Sequence, residues 1–240
     1  MKKRVDQLLV ERGLAESREK ARALILAGDV RVEGRRSDKP GHSVAENCKV
    51  EVTARLPYVS RGGLKLAAAL EHFRISPQGW ICLDVGSSTG GFTDCLLQRG
   101  AARVWAVDVG HGQLDWKLRN DPRVVVREGV NARYLSRETF PELFDLAVCD
   151  ASFISATLLI PAIARLLTER GQMVVLVKPQ FEAGKGEVGK GGIVRDPAQH
   201  QAACDRVRAA VEGAGFRAAI VESPILGAEG NREFLLHASH

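Results

Sequence analysis

Residues 81–108, ICLDVGSSTGGFTDCLLQRGAARVWAVD, constrain the fold of this chain more than any other stretch. Ile81, Cys82 and Leu83 form a short apolar run that Asp84 is expected to end. Gly86, Gly90 and Gly91 then make a turn whose backbone can lie against a ligand. A helix is expected over 93–99, and residues 104–107 read as a second strand stopping at Asp108. Strand, glycine turn, helix and a strand ending in a carboxylate make one half of a nucleotide-binding α/β unit. In such units the acid spans a ribose diol.

Three readings of the turn compete. The dinucleotide fingerprint GxGxxG is absent. An ordinary tight turn would account for the glycines but not for Asp108. Asp84-Val85-Gly86 followed by Ser87-Ser88-Thr89-Gly90-Gly91 has a DxGxxxGG form, which resembles the turn of S-adenosylmethionine (SAM) methyltransferases. The resemblance implies SAM as cofactor, held by Asp84, Gly86, Ser87, Ser88, Thr89, Gly90, Gly91 and Asp108. Asn131, in the loop after a third strand at 124–126, could border the adenine, and a plain loop reads equally well there.

The pattern continues with a strand at 146–149 ending at Asp150 and another at 173–177 ending at Lys178-Pro179. A sixth strand starts at Ile220 and Val221, and a seventh covers 234–236 with Glu233 at its entrance. Helices are expected over 64–73, 155–167 and 200–214, the last closed by Gly215. Strands alternating with helices, then two strands close together, predict an α/β fold, a Rossmann-like seven-stranded SAM-dependent methyltransferase sheet with one antiparallel strand.

Charge sets the first quarter of the chain apart. Residues 1–56 hold 13 Lys/Arg against 9 Asp/Glu, a net of +4 out of the chain's +5. This asymmetry suits a separate module that reads a polyanion, and a solvated charged face explains it equally well. Val5, Leu8, Leu9 and Arg12 suit a short helix ending at Gly13. Ser17 is placed to cap a second helix that stops at Gly28. Val30-Arg31-Val32 reads as a strand, Glu33-Gly34 as a turn and residues 49–52 as a later strand. The run VDQLLVERGLAESREKARALILAGDVRVEGRRSDKPG resembles the S4 RNA-binding domain. That resemblance implies a small α+β domain over 1–56, with Lys3, Arg4, Arg18, Lys20, Arg22, Arg35 and Lys39 as phosphate contacts. Contacts of this kind supply affinity and register, so the module should recognise RNA shape. A linker is expected at 55–61, where Pro57 disfavours helix, with the methyltransferase domain over 57–240.

Other chemistries find little support. The five cysteines, Cys48, Cys82, Cys95, Cys149 and Cys204, are far apart and odd in number, and with scattered histidines they predict reduced thiols and no metal site. The longest apolar tract, 156–167, is interrupted by Pro161 and Arg165 and is too short to span a bilayer. The basic N-terminus has no apolar run after it, so no secretory signal, no membrane association and a cytoplasmic location are expected. EAGKGEVGKGGIVR, residues 182–195, nearly spells a phosphate-binding P-loop, but Gly191 stands where a Ser or Thr would hold magnesium. A loop clamping RNA through Lys185, Lys190 and Arg195 and a merely flexible loop read equally well.

Asp150 and Lys178 lie at carboxyl ends of expected parallel strands, where open α/β sheets bind ligands. Lys65, in a preceding helix, and Glu233, at the start of an antiparallel strand, should reach the same rim. Two ordinary salt bridges would also account for these four. Lys65, Asp150, Lys178 and Glu233, in this order, resemble the catalytic tetrad of FtsJ-like ribose 2′-O-methyltransferases. With the S4-like region in front and KPQFEAGKGEVGKGG behind, the whole chain resembles the TlyA family of ribosomal RNA cytidine 2′-O-methyltransferases, also labelled haemolysins. The resemblance implies ribosomal RNA or ribosomal subunits as partner; the oligomeric state stays open, with a monomer favoured. A lysine base must lose its proton near neutrality, and a neighbouring cation such as Lys65, with partial desolvation, would lower the pKa of Lys178. A noncatalytic RNA-binding assembly factor that keeps the SAM fold, or a haemolysin, are the competing classes.

Overall fold

The computed structural model describes residues 2–52, 57–183, 189, 191–227 and 230–240. The chain separates into two compact units, Met1–Leu56 and Pro57–His240. The linker expected at 55–61 begins within 53–56, outside the described residues.

In the first unit β1 (Lys2–Arg4) runs directly into α1 (Val5–Glu11), and α2 (Arg18–Ala27) follows. Ser17 accepts a hydrogen bond from the Lys20 N–H at 3.2 Å and so starts α2, while Gly28, at φ +82°, closes it. β2 (Val30–Val32) turns through Glu33 and Gly34, both at positive φ, into β3 (Arg35–Arg36). β4 (Ser43–Ala45) pairs antiparallel with β1, and β5 (Val50–Val52) with β2. Val5, Leu8, Leu9, Ala21, Ile25 and Val30 form the core. β1, β3 and β4 have no counterpart in the sequence reading. Two or three largely polar residues carry no alternation to read.

The second unit opens with α3 (Gly62–His72), then β6 (Ile81–Val85), α4 (Gly91–Gln98), β7 (Arg103–Val107), α5 (Trp116–Arg119) and β8 (Val124–Arg127). β9 (Phe144–Cys149), α6 (Ile160–Ala164), β10 (Leu167–Val177) and α7 (Pro179–Glu182) follow. α8 (Pro197–Gly213), β11 (Arg217–Glu222) and β12 (Phe234–Ser239) complete it. The strands form one sheet in the order β11-β12-β10-β9-β6-β7-β8, with β12 antiparallel to both neighbours and the other pairs parallel. Strand order reverses beside β6, so the crevice at its carboxyl end is the ligand position this topology favours. Alternation along β6 sends Leu83 and Val85 into a core with Ile160 and Ile163 of α6. Cys82 goes to the opposite core, with Leu66 of α3 and Leu96 of α4.

Two expectations need correction. β6 does not end before Asp84 but continues through Val85, which leaves Asp84 inside the strand and fully buried. The helix expected over 155–167 is broken. A 3-10 turn, Ala156–Leu158, precedes α6, whose first turn contains Pro161, and Leu167 already belongs to β10. Proline lacks an N–H and starts a helix rather than continuing one. Among the described residues no helix is long and apolar enough to cross a membrane.

Candidate functional site

The carboxyl ends of β6, β7 and β9 are stitched together by their backbones. The Gly86 N–H donates to the Val107 carbonyl at 2.9 Å, and the Asp150 N–H to that of Val85 at 2.9 Å. Gly86 has φ +80°, and a Cβ there would stand 2.8 Å from the Asp150 carbonyl oxygen. Only glycine lets these two strand ends approach so closely.

Two cavities open on either side of this crossing and share Gly86, Ser88, Asp150, Ser152 and Phe153. The second, of about 530 Å³, runs to Asp108 and Asn131 with Val107, Val130, Ala132 and Leu159 as apolar lining. Asp108 accepts from the Ser88 N–H through Oδ2 at 2.8 Å and from the Gly110 N–H through Oδ1 at 2.7 Å. Each oxygen keeps a lone pair for a hydroxyl, so the carboxylate suits a ribose diol and the apolar lining suits a purine. These residues fit SAM.

The first cavity, of about 400 Å³, is lined by all four expected catalytic residues together with Ser87, Thr89 and Gly91. Lys65 is ion-paired with Glu233, and Lys178 Nζ lies 2.6 Å from Asp150 Oδ1. Lys65 does not stand against Lys178 as expected from sequence; each buried lysine is paired with its own carboxylate, which offsets its desolvation. Two ion pairs thus form, and both face one solvent-connected cavity beside the glycine turn.

Asp84 and Gly90 line neither cavity. Asp84 accepts from Thr93 Oγ1 at 2.6 Å beneath the turn, and burial pushes its pKa up to about 7. Gly90, at φ +95°, precedes α4 where a Cβ would meet Leu118 and Leu114. Because the folded Asp84 holds its proton to higher pH, stability should be unaffected below about pH 4 and fall as pH rises towards 7, by an upper figure on the order of 4 kcal/mol. Asp84→Asn should therefore stabilise the cofactor-free protein more at pH 8 than at pH 5. Denaturant unfolding at the two values checks this, and an equal change at both would exclude Asp84 as the titrating group.

Three further residues, which no motif marks, complete the site. Ser152 Oγ accepts from Lys178 Nζ at 2.8 Å. Glu182, buried with its pKa raised by desolvation, accepts from Ser155 Oγ and, at 2.7 Å, from the Ala156 N–H. It thereby ties the segment after Lys178 to the segment after Asp150. Phe153 is 92% exposed at φ +65°, its ring 5.3 Å from that of Phe181, at the mouth of both cavities. A positive φ at a bulky residue costs roughly 1–3 kcal/mol, and such strain clusters at functional sites.

The expected RNA contacts divide. Lys3 pairs with Glu11 and Glu46, and Lys20 with Glu16. Arg4 and Arg18 both reach Asp6. Arg22, Arg35 and Lys39 are exposed and carry no ion pair among the described residues, and Arg195 is exposed. Lys185 and Lys190, with most of the near P-loop, lie outside the described residues. All five cysteines are buried and free. Among the described residues no His, Cys, Asp or Glu cluster could hold a metal.

Residues 58–240 match the family model of FtsJ-like methyltransferases and residues 3–47 that of the S4 domain. A Bacillus subtilis protein named as a candidate rRNA methyltransferase, YqxC, is 50% identical over 98% of this chain and 85% of its own length. The Mycobacterium tuberculosis 16S/23S rRNA (cytidine-2′-O)-methyltransferase TlyA is 48% identical over 97% of this chain and 88% of its own. A solved structure from Streptococcus thermophilus, described as a candidate haemolysin, superposes with a TM-score of 0.76 at 47% identity, covering 99% of this chain and 88% of that one. An S4 domain ahead of a SAM-dependent FtsJ-like methyltransferase domain, with relatives this similar over nearly the whole length, places the chain in the TlyA family.

Proposed function

We propose that this protein methylates a ribose 2′-hydroxyl, that of a cytidine in ribosomal RNA. The observation that carries this reading is the lining of one cavity by Lys65, Asp150, Lys178 and Glu233 beside the Gly86 turn. The similarity to an rRNA (cytidine-2′-O)-methyltransferase supports the substrate. SAM, when bound, supplies a methyl group on a positively charged sulfur. The chain's task is to present a hydroxyl oxygen and dispose of its proton.

Lys178 is the group that takes the proton. Once Lys178 has released its own proton to solvent, its amine has a lone pair for that of the hydroxyl, while Ser152 Oγ, which accepts from Nζ, and Asp150 Oδ1, 2.6 Å away, hold the nitrogen in place. Lys65, held by Glu233, places a positive charge beside the oxygen as it becomes more negative. The exposed ring of Phe153 offers a stacking face for the base attached to that ribose. The basic first unit supplies most of the RNA affinity through phosphates.

Incubation of the purified protein with ribosomal subunits and methyl-labelled SAM should place one label on the ribose of a cytidine, read by primer-extension stops at limiting nucleotide. Tight binding of subunits without label would identify a noncatalytic assembly factor.

A further inference from the structure

We infer that Arg4 and Arg18 form a single site for one RNA phosphodiester, built on the buried carboxylate of Asp6, so that this acidic residue is required for RNA binding. The inference rests on the proposal that the first unit binds RNA. Asp6, in the first turn of α1, is 0% exposed. Arg4, the last residue of β1, grips it with Nε at 3.0 Å from Oδ1 and Nη2 at 2.9 Å from Oδ2. Arg18, the first residue of α2, brings Nε to 3.4 Å from the same Oδ2. Three separate elements thus meet on one carboxylate, and the junction is pinned from behind. The Val5 N–H donates to the His42 carbonyl at 2.9 Å and the Asp6 N–H to the Pro40 carbonyl at 3.2 Å.

The charge arithmetic of this cluster differs from that of the other ion pairs in the unit. Lys3 and Lys20 bond to Glu11, Glu46 and Glu16, acids that are themselves exposed and would repel an approaching phosphate. Asp6 lies underneath. It neutralises one guanidinium, so that two can sit side by side with less repulsion, and leaves a net charge of about +1, with no hydrogen bond or ion pair at Nη1 of either arginine among the described residues. Arg4 remains 44% and Arg18 54% exposed, with Nη1 of each outside the Asp6 contact. Arg4 is fixed on the carboxylate by two hydrogen bonds, and Arg18 is drawn to the same oxygen by charge at 3.4 Å, so the two guanidiniums are held near enough to grip one phosphate before RNA arrives.

The test is binding of the full-length protein to purified ribosomal subunits over a range of potassium chloride concentrations. Asp6→Asn makes the protein more positive, and electrostatics alone would tighten binding. The clamp instead predicts affinity weaker by roughly 10- to 100-fold and a shallower salt slope by about one unit. Wild-type or tighter binding by folded Asp6→Asn, together with weaker binding by Arg4→Ala, overturns the clamp while leaving the RNA reading intact. The variants Arg4→Ala, Arg18→Ala and their combination keep Asp6 and decide the matter even if Asp6→Asn fails to fold. One shared phosphate predicts that the double variant loses about one unit of slope, no more than either single change. A loss of about two units means separate phosphates and overturns the inference. An unchanged slope in the double variant overturns the phosphate contacts and the clamp together.

Discussion

Lys178→Arg is expected to lose turnover by roughly 10²- to 10⁴-fold, the usual contribution of a positioned general base. Arginine keeps the charge and much of the reach, and its ion pair with Asp150 should survive. Its pKa, above about 12, prevents it from accepting a proton near neutrality. The affinities for SAM and RNA should therefore change little, because what is lost belongs to the chemical step. Lys65→Arg should be milder, since the role assigned to Lys65 is to present a charge held by Glu233. Single-turnover methylation with both substrates saturating checks this. A near-normal rate for Lys178→Arg would mean that Lys178 only holds the ribose and that another group takes the proton.

Gly86→Val should abolish measurable SAM binding. The glycine lies on both cavities, and its φ of +80° is one that valine, branched at Cβ, avoids. The nearest obstacle to a side chain is backbone: the Asp150 carbonyl oxygen would be 2.8 Å from the new Cβ. The variant must push the ends of β6 and β9 apart, which moves the cofactor turn and Asp150 together. The rest of the sheet is untouched, so the protein should remain folded with a melting temperature lowered by roughly 2–8 °C. Calorimetry that finds unchanged SAM affinity in the folded variant would show that the cofactor does not lie against this turn.

The sheet was legible because its strands are apolar runs separated by helices and ending in polar residues. Asp108, Asp150 and Lys178 are each readable as strand ends, and the rim follows from topology alone. The pairing on that rim was not legible. Nothing in sequence says whether Lys65 faces Lys178 or Glu233, because partners 168 residues apart are chosen by the sheet order. Asp84 shows a different limit. Period-two alternation puts it on the α4 side of β6, but a turn motif invites the opposite reading, and only the Thr93 hydroxyl reveals which way the carboxyl points. Residues 155–167 misled through composition, since an apolar run containing a proline can be one helix or the start of another. Ser152 and Glu182 hold others in place without belonging to a motif, and sequence carries no mark of that.

β12 lies between β10 and β11, both of which precede it in the chain. A growing polypeptide therefore cannot close its sheet strand by strand in the order of synthesis. It must hold a gap between two earlier strands until residues 234–239 enter and pair on both edges. Glu233, immediately before that segment, reaches the rim only then. A nascent chain with its glycine turn already formed still leaves Lys65 without its carboxylate. A copy cut short before Glu233 thus carries its glycine turn but lacks one side of the catalytic rim, and it should have no working active site.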